Sequence, residues 1–355
     1  MKKMKEVITE ILKMAVNAPS GDNSQPWRFE VSNDEIKVFN VPEKDTSLYN
    51  YNQNASLIAL GGLVENIKIA LSRYGYISSI DLLPEGSGSN LVAVLSLEMS
   101  KRFNDPLYSY IQERVSNRKV YKIEVLSVDH KRELLKTGSS LADISIKLVD
   151  DREEIEKLAN AVSVNERIVL ENKQLHSFLF SHITWSEKED RNKKGFFIKT
   201  LELKGPQILT FKLLRHWKIL KILNKIGVSV LVSRENAKLY KQSSAFIAII
   251  ANDDSSVSFL KSGMLMQKFW LTATKLRLGV QPVTGVLFLH HRIKIGDREL
   301  HNKHITLVES AYSKIDSIFG ANGKPITMMF RVGYADRASF KCLRREPEIR
   351  FLNSI

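Results

Sequence analysis

The spacing of apolar residues predicts both helices and strands in the first part of the chain. Apolar side chains recur at helical intervals in 3–17 and in 54–74, where Gly75 follows as a helix stop. Four shorter stretches combine apolar runs with alternation and turn residues, which predicts strands at 27–31, 36–41, 78–82 and 91–97.

The second part of the chain continues the mixture with longer apolar runs. Helical spacing predicts further helices near 105–113, 129–138, 152–172, 208–226, 258–278 and 304–318. Strands are predicted at 144–149, 245–251 and 326–332. The stretch 174–200 is mixed and polar, with scattered aromatic residues.

Two of the predicted helical segments look like copies of each other. The segments 59–75 and 263–279 are apolar throughout, and both end on a glycine. Helices that are apolar on nearly every side belong in the interior of a protein. The pair predicts an internal duplication, with the two long helices packed at a pseudo-twofold axis.

The predicted helix 208–226 combines apolar with basic residues. It lies in a segment, 203–234, that contains seven Lys and Arg residues and no Asp or Glu. A basic amphipathic helix can lie on a membrane or cover an active site. Because the apolar residues do not keep to one face, we favour a lid or a partly buried packing helix over a membrane anchor.

The overall charge bounds the possible partners. The chain has 53 Lys and Arg against 39 Asp and Glu, a formal net charge of +14. Such a charge suits nucleic acid, an anionic membrane surface or a phosphate-bearing ligand. The basic residues are spread along the chain, without zinc-finger spacing, an RNP-type motif or a basic heptad region, so we expect no nucleic-acid partner.

Cysteine content and the start of the chain indicate the compartment. Cys342 is the single cysteine, which excludes an internal disulfide and favours a reducing environment. The basic start leads into an amphipathic helix rather than a signal peptide, and no apolar run reaches the ~18–20 residues of a membrane span. We expect a cytoplasmic protein without stable membrane insertion.

The loop at 18–27, here called the proline-serine loop, joins the first predicted helix to the first strand. Two prolines and a glycine shape its backbone, while Ser20, Asn23 and Gln25 offer polar atoms. Such a loop forms a tight Asx-type turn or presents backbone and short side chains to a flat polar ligand. The residue types alone favour the turn.

This loop is the first of six motifs that occur in a fixed order. They read A-P-S-G-x-N-S-Q-P-W, A-L-G-G-L-V-E-N-I, R-x-S-N-R, G-x-x-x-Q-x-x-W-L-x-A-T-x-x-x-L-G, R-V-G-Y and a late R-R. Together they resemble the nitroreductase superfamily of flavin enzymes, and more narrowly its fused, long-chain branch, which includes the Acg-type FMN-binding proteins. The resemblance spans 15–352, but no motif aligns in 174–243.

The resemblance implies an α+β fold of the nitroreductase type, with a central, mostly antiparallel sheet flanked by helices. Members are homodimers with FMN at the subunit interface. Here the same parts lie on one chain, which implies a single-chain pseudo-dimer of two related halves, 1–113 and 114–355, with one FMN site. The second half would carry a basic, lid-like insert at about 174–243, here called the insert.

The resemblance also implies which residues bind FMN. Arg114 and Ser116 match the family's phosphate grip, Arg118 matches the position at the flavin pyrimidine edge, and Arg344 with Arg345 match a C-terminal basic pair. The isoalloxazine and ribityl contacts fall on Pro19, Ser20, Gly21 and Asn23. The loop beside flavin N5 falls on Pro282, Val283, Thr284 and Gly285, and the family often has Glu where Thr284 stands.

The implied activity is an FMN-dependent oxidation and reduction with NAD(P)H as electron donor. The acceptor would be a nitroaromatic or quinone-like compound, or a metabolite in a biosynthetic step. No side-chain acid or base is required, because flavin N5 carries the chemistry. No metal site is expected, since the histidines have no metal-ligand context.

Two questions stay open from the sequence. The protein is either such an enzyme or an FMN-sequestering protein in which the insert closes over the flavin. The expected partner is a small-molecule substrate, and the expected state is a monomeric pseudo-dimer for which further association is possible.

Overall fold

The computed structural model describes residues 2–140, 143–296 and 300–352. The helices of this part are α1 Lys2–Ala15, α2 Asn54–Arg73, α3 Tyr110–Glu113, α4 Val128–Lys136, α5 Arg152–Val162, α6 Val164–Glu171, α7 Lys173–Ser181, α8 Glu187–Asp190, α9 Gly205–Leu214, α10 Trp217–Leu223, α11 Val228–Tyr240, α12 Ser256–Lys275, α13 Gly285–Lys294 and α14 Asn302–Phe319. The strands are β1 Trp27–Val31, β2 Glu35–Asn40, β3 Tyr76–Leu82, β4 Leu91–Met99, β5 Ile144–Val149, β6 Ile183–Thr184, β7 Phe196–Phe197, β8 Ala245–Ala251, β9 Gly279–Pro282, β10 Ile326–Gly333 and β11 Ile349–Phe351.

The larger strands form two sheets, in which antiparallel pairing dominates. One sheet has the order β11-β1-β2-β4-β3, and the other has the order β5-β8-β10-β9. Strand β8 is apolar and buried along its whole length, as expected for a central strand covered on both faces. The α+β class is confirmed, although the strands are divided between two sheets instead of forming one central sheet.

The last strand crosses from the second half of the chain to the sheet of the first half. Strand β11 pairs in parallel with β1, so that Phe29 lies opposite Ile349. The backbone N–H of Phe29 donates to the carbonyl of Glu348 at 2.9 Å. Residues 334–352, here called the C-terminal arm, are thereby held against β1. The boundary at 113 stays a prediction.

Helices α2 and α12 pack against each other through glycines in the centre of the molecule. A Cβ atom on Gly61 would lie 2.0 Å from the carbonyl oxygen of Leu260. A Cβ atom on Gly263 would likewise lie 2.0 Å from the carbonyl oxygen of Ile58. The two backbones therefore touch, and only glycine permits this approach.

The glycine contacts give the register of the suspected duplication. Each glycine contacts the residue that lies three positions before the other glycine, so the two contacts are reciprocal. The sequence spacing from Ile58 to Leu260 accordingly equals that from Gly61 to Gly263. The same spacing pairs Gly75 (φ 79°) with Arg277 (φ 60°), each of which follows its helix in the left-handed conformation. The sequence-based alignment of 59–75 with 263–279 is therefore two residues away from the register that the structure shows. Gly279 lies in β9 and does not end α12.

Helix α2 is also long and apolar enough to cross a membrane by length and composition. The segment with this property is Tyr51–Arg73, and 89% of its most apolar window is buried inside the fold. Its apolar character is explained by packing against α1, α12 and the first sheet.

Several predicted elements differ from the structure. The predicted helix 152–172 is divided into α5 and α6 at Ser163, and 208–226 is divided into α9 and α10 at 215–216. Most of 105–113 forms turns, with only the short α3 at its end. Helix α13 was not predicted, because its ten residues are too few to show a clear period.

Candidate functional site

The proline-serine loop is tightly folded on itself. It contains a short 3₁₀ turn, Gly21–Asn23, and three residues with positive φ, namely Asp22, Asn23 and Gln25. The hydroxyl oxygen of Ser20 accepts a hydrogen bond from the backbone N–H of Gln25 at 3.0 Å. The turn expected from the residue types is therefore present, and it fixes the side chains that follow.

The amides of Asn23 and Gln25 connect this loop to the C-terminal arm. Arg344 Nη1 donates to Asn23 Oδ1 at 2.6 Å, and the backbone N–H of Arg345 donates to Gln25 Oε1 at 2.8 Å. Asn23 Nδ2 also donates to the carbonyl of Leu343 at 3.0 Å. These contacts bring residues from opposite ends of the sequence together, while their role in binding FMN stays a prediction.

The same two amides hold the insert. Asn23 Nδ2 donates to the carbonyl of Gly195 at 2.9 Å, and Gln25 Nε2 donates to the carbonyl of Lys193 at 3.0 Å. Arg118 Nη1 donates to the carbonyl of Thr200 at 3.2 Å. The segment 193–200 thus lies against the proline-serine loop and against Arg118.

Arg114, Lys341 and Arg344 form a group of cations beneath this junction, here called the cationic cluster. Arg114 is only 2% exposed, and its Nη2 donates to the carbonyl of Asn17 at 2.6 Å. Its guanidinium lies 4.7 Å from the ring centroid of Trp270. Lys341 Nζ donates to the carbonyl of Gln112 at 2.5 Å.

Burial and mutual repulsion disfavour the charged forms of the side chains in the cluster. Burial, with the nearby charges of Arg114 and Arg344 acting in the same direction, lowers the pKa of Lys341 to about 7. Burial also lowers the pKa of Arg114 to about 9, with Arg344 acting in the same direction. Positive groups that are buried together in this way favour an anion between them.

Unused donors point to the same kind of ligand. The Nε atoms of Arg114, Arg344 and Arg345 are buried, and none has a hydrogen-bond partner among the described residues. An unsatisfied buried donor is costly, so each of these atoms favours an acceptor from outside the chain. A phosphate group fits this donor set, because its oxygens accept several charge-assisted hydrogen bonds.

The remaining residues of the R-x-S-N-R motif connect the cluster to the second half. Residues 114–118 have no regular structure, and the backbone N–H of Asn117 donates to the carbonyl of Val280 in β9 at 2.8 Å. Ser116 and Arg118 are half-buried beside this contact. The motif therefore lies next to the strand that leads into Pro282–Gly285.

Residues Pro282–Gly285 lie between β9 and α13 and pack on α6. The N–H of Val283 donates to the carbonyl of Met329 at 2.9 Å, so it is occupied within the fold. A Cβ atom on Gly285 would lie 2.1 Å from Asn165 Oδ1. The helix that carries Asn165 therefore directly adjoins the expected N5 loop.

A group of acidic and phenolic side chains lies beside this loop, and the sequence did not indicate it. Tyr49 Oη donates to Asn165 Oδ1 at 2.8 Å, and Tyr240 Oη donates to Glu166 Oε1 at 2.8 Å. Glu166 Oε2 is buried without a partner among the described residues. Burial raises the pKa of Glu166 to about 7, and burial also raises the pKa of Asp22.

Lys341, Asp22 and Glu166 are the residues of this region that motif reasoning missed. Lys341 lies three positions before Arg344 in a stretch that looked like a basic tail. Asp22 occupies the variable position of the loop motif. Glu166 lies on a helix without any motif, and only its burial against Tyr240 distinguishes it from the other glutamates of α5 and α6.

Replacing Glu166 with glutamine should change the pH dependence of stability. The ordinary pKa of 4.5 applies in the unfolded chain, whereas the folded protein holds the proton up to a pKa of about 7. Wild-type stability therefore falls as pH rises from 4.5 to 7, by up to about 3 kcal/mol, and the glutamine variant lacks this loss. Denaturant unfolding at pH 5 and pH 8 measures the difference.

The exposed neighbour Glu153 provides the control. Its side chain is 78% exposed, so Glu153→Gln should leave the difference between the two pH values unchanged. If Glu166→Gln behaves as Glu153→Gln does, the carboxyl of Glu166 is ionised in the folded protein and the assignment is wrong.

Two open cavities lie outside the cationic cluster, and the second adjoins the proline-serine loop, because the hydroxyl of Ser24 donates to Asp45 Oδ2 at 3.4 Å. One of about 390 Å³ is lined by α13, α14 and the start of β10, with His290 stacked on Tyr312 at its wall. The other, of about 430 Å³, lies beside Asp45, Asn50 and Arg292. Within the described residues no group of three His, Cys, Asp or Glu side chains could hold a metal ion.

Comparison with curated proteins gives distant relatives. The chain is 24% identical over 292 residues to an "Uncharacterized protein" of Mycobacterium tuberculosis, an alignment that covers 79% of this chain and 39% of that protein. It is 22% identical over 118 residues to a "Putative NAD(P)H nitroreductase" of the same organism, covering 33% of this chain and 34% of that one. The matches thus span about two fifths or less of the length of these relatives. No family model matches the chain.

Comparison with solved structures gives nitroreductases among the matches, all at low identity. A nitroreductase with bound FMN from Bacteroides fragilis has a TM-score of 0.36 and 9% identity, covering 68% of this chain and 95% of that one. The FMN-dependent nitroreductase NfnB from Mycobacterium smegmatis, solved in complex with NADPH, has a TM-score of 0.37 and 11% identity, covering 66% and 92%. The relative named NAD(P)H nitroreductase agrees with the resemblance that the motifs predicted, while the narrower Acg-type grouping stays a prediction.

Proposed function

We propose that this protein is an FMN-dependent oxidoreductase that takes electrons from NAD(P)H. The observation that carries the proposal is the cationic cluster, where buried Nε atoms without partners meet the proline-serine loop. FMN, when bound, supplies the hydride chemistry, and the chain supplies binding, orientation and electrostatics. The relatives named NAD(P)H nitroreductase agree with this choice of electron donor.

Each part of the site has a proposed task. Arg114, Lys341 and Arg344 hold the phosphate, because their charges and the unpartnered Nε atoms of the two arginines fit its oxygens. The proposed task of Arg118 is to stabilise negative charge on the pyrimidine edge; it is half-buried and donates to the carbonyl of Thr200 in the insert.

The remaining residues are proposed to position the parts of the site and to form its wall. Asn23 and Gln25 tie the arm to the loop, so they fix the position of the cluster and are not themselves free for the flavin. Residues Pro282–Gly285 form the wall beside the reacting face, where Thr284 and Gly285 begin α13. The acceptor is a nitroaromatic, a quinone-like compound or a biosynthetic intermediate.

A sequestering protein is the second candidate, and one observation favours it. The carbonyls of Lys193, Gly195 and Thr200 accept hydrogen bonds from the loop and from Arg118, so this part of the insert covers the site. A cover of this kind would exclude substrates unless it opens.

We further propose that one chain forms one complete site in the cytoplasm, where NAD(P)H is available. The reciprocal packing of α2 and α12 supports a pseudo-dimer, and the position of β11 supports the exchange of a segment between halves. The substrate is a small molecule.

Anaerobic reduction separates the two candidates. The purified protein, loaded with FMN, is mixed with NADPH or NADH while the flavin absorbance is followed. An oxidoreductase should lose its yellow colour within seconds with one of the two donors. A yellow protein that neither donor reduces would support sequestration, and a chain that binds no FMN would overturn both.

A further inference from the structure

The outward side of α9, of α10 and of the short 3₁₀ turn after them, Asn224–Ile226, exposes large apolar residues. Leu209 is 70% exposed, Ile222 is 66% exposed and Ile226 is 80% exposed. Leu213 and Ile219 are exposed on the same two helices. These five residues are here called the outer face of the insert. Exposed apolar residues in this density mark an interaction surface more often than a free one.

The outer face is not needed for packing inside the protein. The opposite side of the two helices supplies the residues that pack, with Leu214 and Leu220 buried and Phe211 and Trp217 beside them. These side chains form a core of their own with Phe180, Phe196 and Phe197. The expectation of a packing helix therefore holds for one side, and the apolar residues on the other side require a separate explanation.

The charges between these apolar residues have one sign. The segment 203–234 contains seven Lys and Arg residues and no Asp or Glu. Lys212, Lys218, Lys221 and Lys225 are exposed, and no described residue forms an ion pair with any of them. A partner for this face must therefore be anionic as well as apolar.

We propose that the outer face of the insert binds the surface of an anionic lipid bilayer. Leucine and isoleucine side chains at this position would enter the boundary between headgroups and acyl chains, while the neighbouring lysines meet the anionic headgroups. A second copy of the chain fits less well, because it would bring lysines against lysines.

This mode of binding agrees with the expectation of no stable insertion. Helices α9 and α10 have ten and seven residues, too few to span the hydrocarbon core. The protein would lie on the membrane and leave it at high salt, since screening weakens the contribution of the lysines. The inference is independent of the proposed flavin chemistry.

Flotation of the full-length protein with lipid vesicles tests the inference. One vesicle preparation is phosphatidylcholine alone, and the other contains phosphatidylglycerol as the anionic lipid. The wild-type protein should bind the anionic vesicles about tenfold more than the neutral ones at low salt, and high salt should reduce this preference.

Two sets of variants separate the apolar from the charged contribution. The triple variant Leu209→Ser, Ile222→Ser, Ile226→Ser should lower binding to anionic vesicles about tenfold, and the triple variant Lys218→Gln, Lys221→Gln, Lys225→Gln should remove the preference for them. The matched control is Met99→Ser, Ile123→Ser, Val125→Ser, which changes apolar residues that are 87%, 67% and 68% exposed elsewhere. Circular dichroism verifies that all variants are folded.

Three results would overturn the inference. One is the absence of binding to anionic vesicles by the wild-type protein. Another is an equal loss of vesicle binding in the control variant and in the triple serine variant of Leu209, Ile222 and Ile226. The third is a dimer of the wild-type protein in light scattering that the same triple serine variant abolishes, because a second copy of the chain would then occupy this face.

Discussion

Replacing Arg344 or Lys341 with glutamine is expected to weaken FMN binding about 10- to 100-fold for each substitution, while riboflavin binding changes little. Each side chain is placed to make charge-assisted hydrogen bonds to the phosphate, and such a bond contributes about 1.5–3 kcal/mol. Riboflavin has the same ring and ribityl chain but no phosphate. Parallel fluorescence titrations with the two flavins therefore measure the phosphate contribution directly.

The control for these variants lies on the same arm. Arg350 is 75% exposed in β11 and lies 3.6 Å from Glu30, far from any unused donor described above. Arg350→Gln should therefore retain the affinity for both flavins. Equal losses for FMN and riboflavin in Arg344→Gln and Lys341→Gln would mean that the cluster shapes the site without binding the phosphate.

Replacing Gly61 or Gly263 with alanine is expected to lower the free energy of unfolding by about 3 kcal/mol or more. In both positions the new methyl group would meet a carbonyl oxygen of the other helix at 2.0 Å. A main-chain atom inside a helix cannot move aside alone, so α2 and α12 would have to separate along their contact. Denaturant unfolding followed by circular dichroism measures the loss.

The adjacent glycine is a matched control for this prediction. A Cβ atom on Gly62 would lie 3.0 Å from the terminal methyl group of Met266, which can rotate away. Gly62→Ala should thus be close to neutral, because alanine also favours the helix by up to about 1 kcal/mol. If Gly61→Ala and Gly62→Ala lower the free energy of unfolding by similar amounts, the close approach of the two backbones does not explain the loss.

Strands that are marked by an apolar run between turn residues could be predicted from the sequence, whereas contacts between distant segments could not. The strands at 144–149 and 245–251 have the predicted bounds because apolar runs and turn residues mark both ends. Helix α9 was harder to interpret, since it is apolar toward its own core and also toward solvent, and this removes the one-sided pattern. Its neighbour α10 shows the same property.

The candidate site was predictable only where a motif existed. Two motifs assigned Asn23 and Arg344 to one predicted FMN site, and the structure shows a hydrogen bond between these two side chains. Lys341 joins the cluster because the arm folds back onto the loop, and no local pattern records that path. The environment of Glu166 depends on Tyr240, 74 residues later in the chain, so its burial could not be anticipated.

The path of the C-terminal arm sets the order in which a newly made chain can become functional. Asn23 leaves the ribosome before Arg344, the side chain that it holds, which is synthesised 321 residues later. Domains can begin to fold during synthesis, yet here the first sheet lacks β11 and the cationic cluster lacks two of its three members until the arm has emerged. If the cluster binds an anionic ligand as proposed, that binding must follow synthesis of the arm, and a chain that lacks the arm would present the proline-serine loop without its partner.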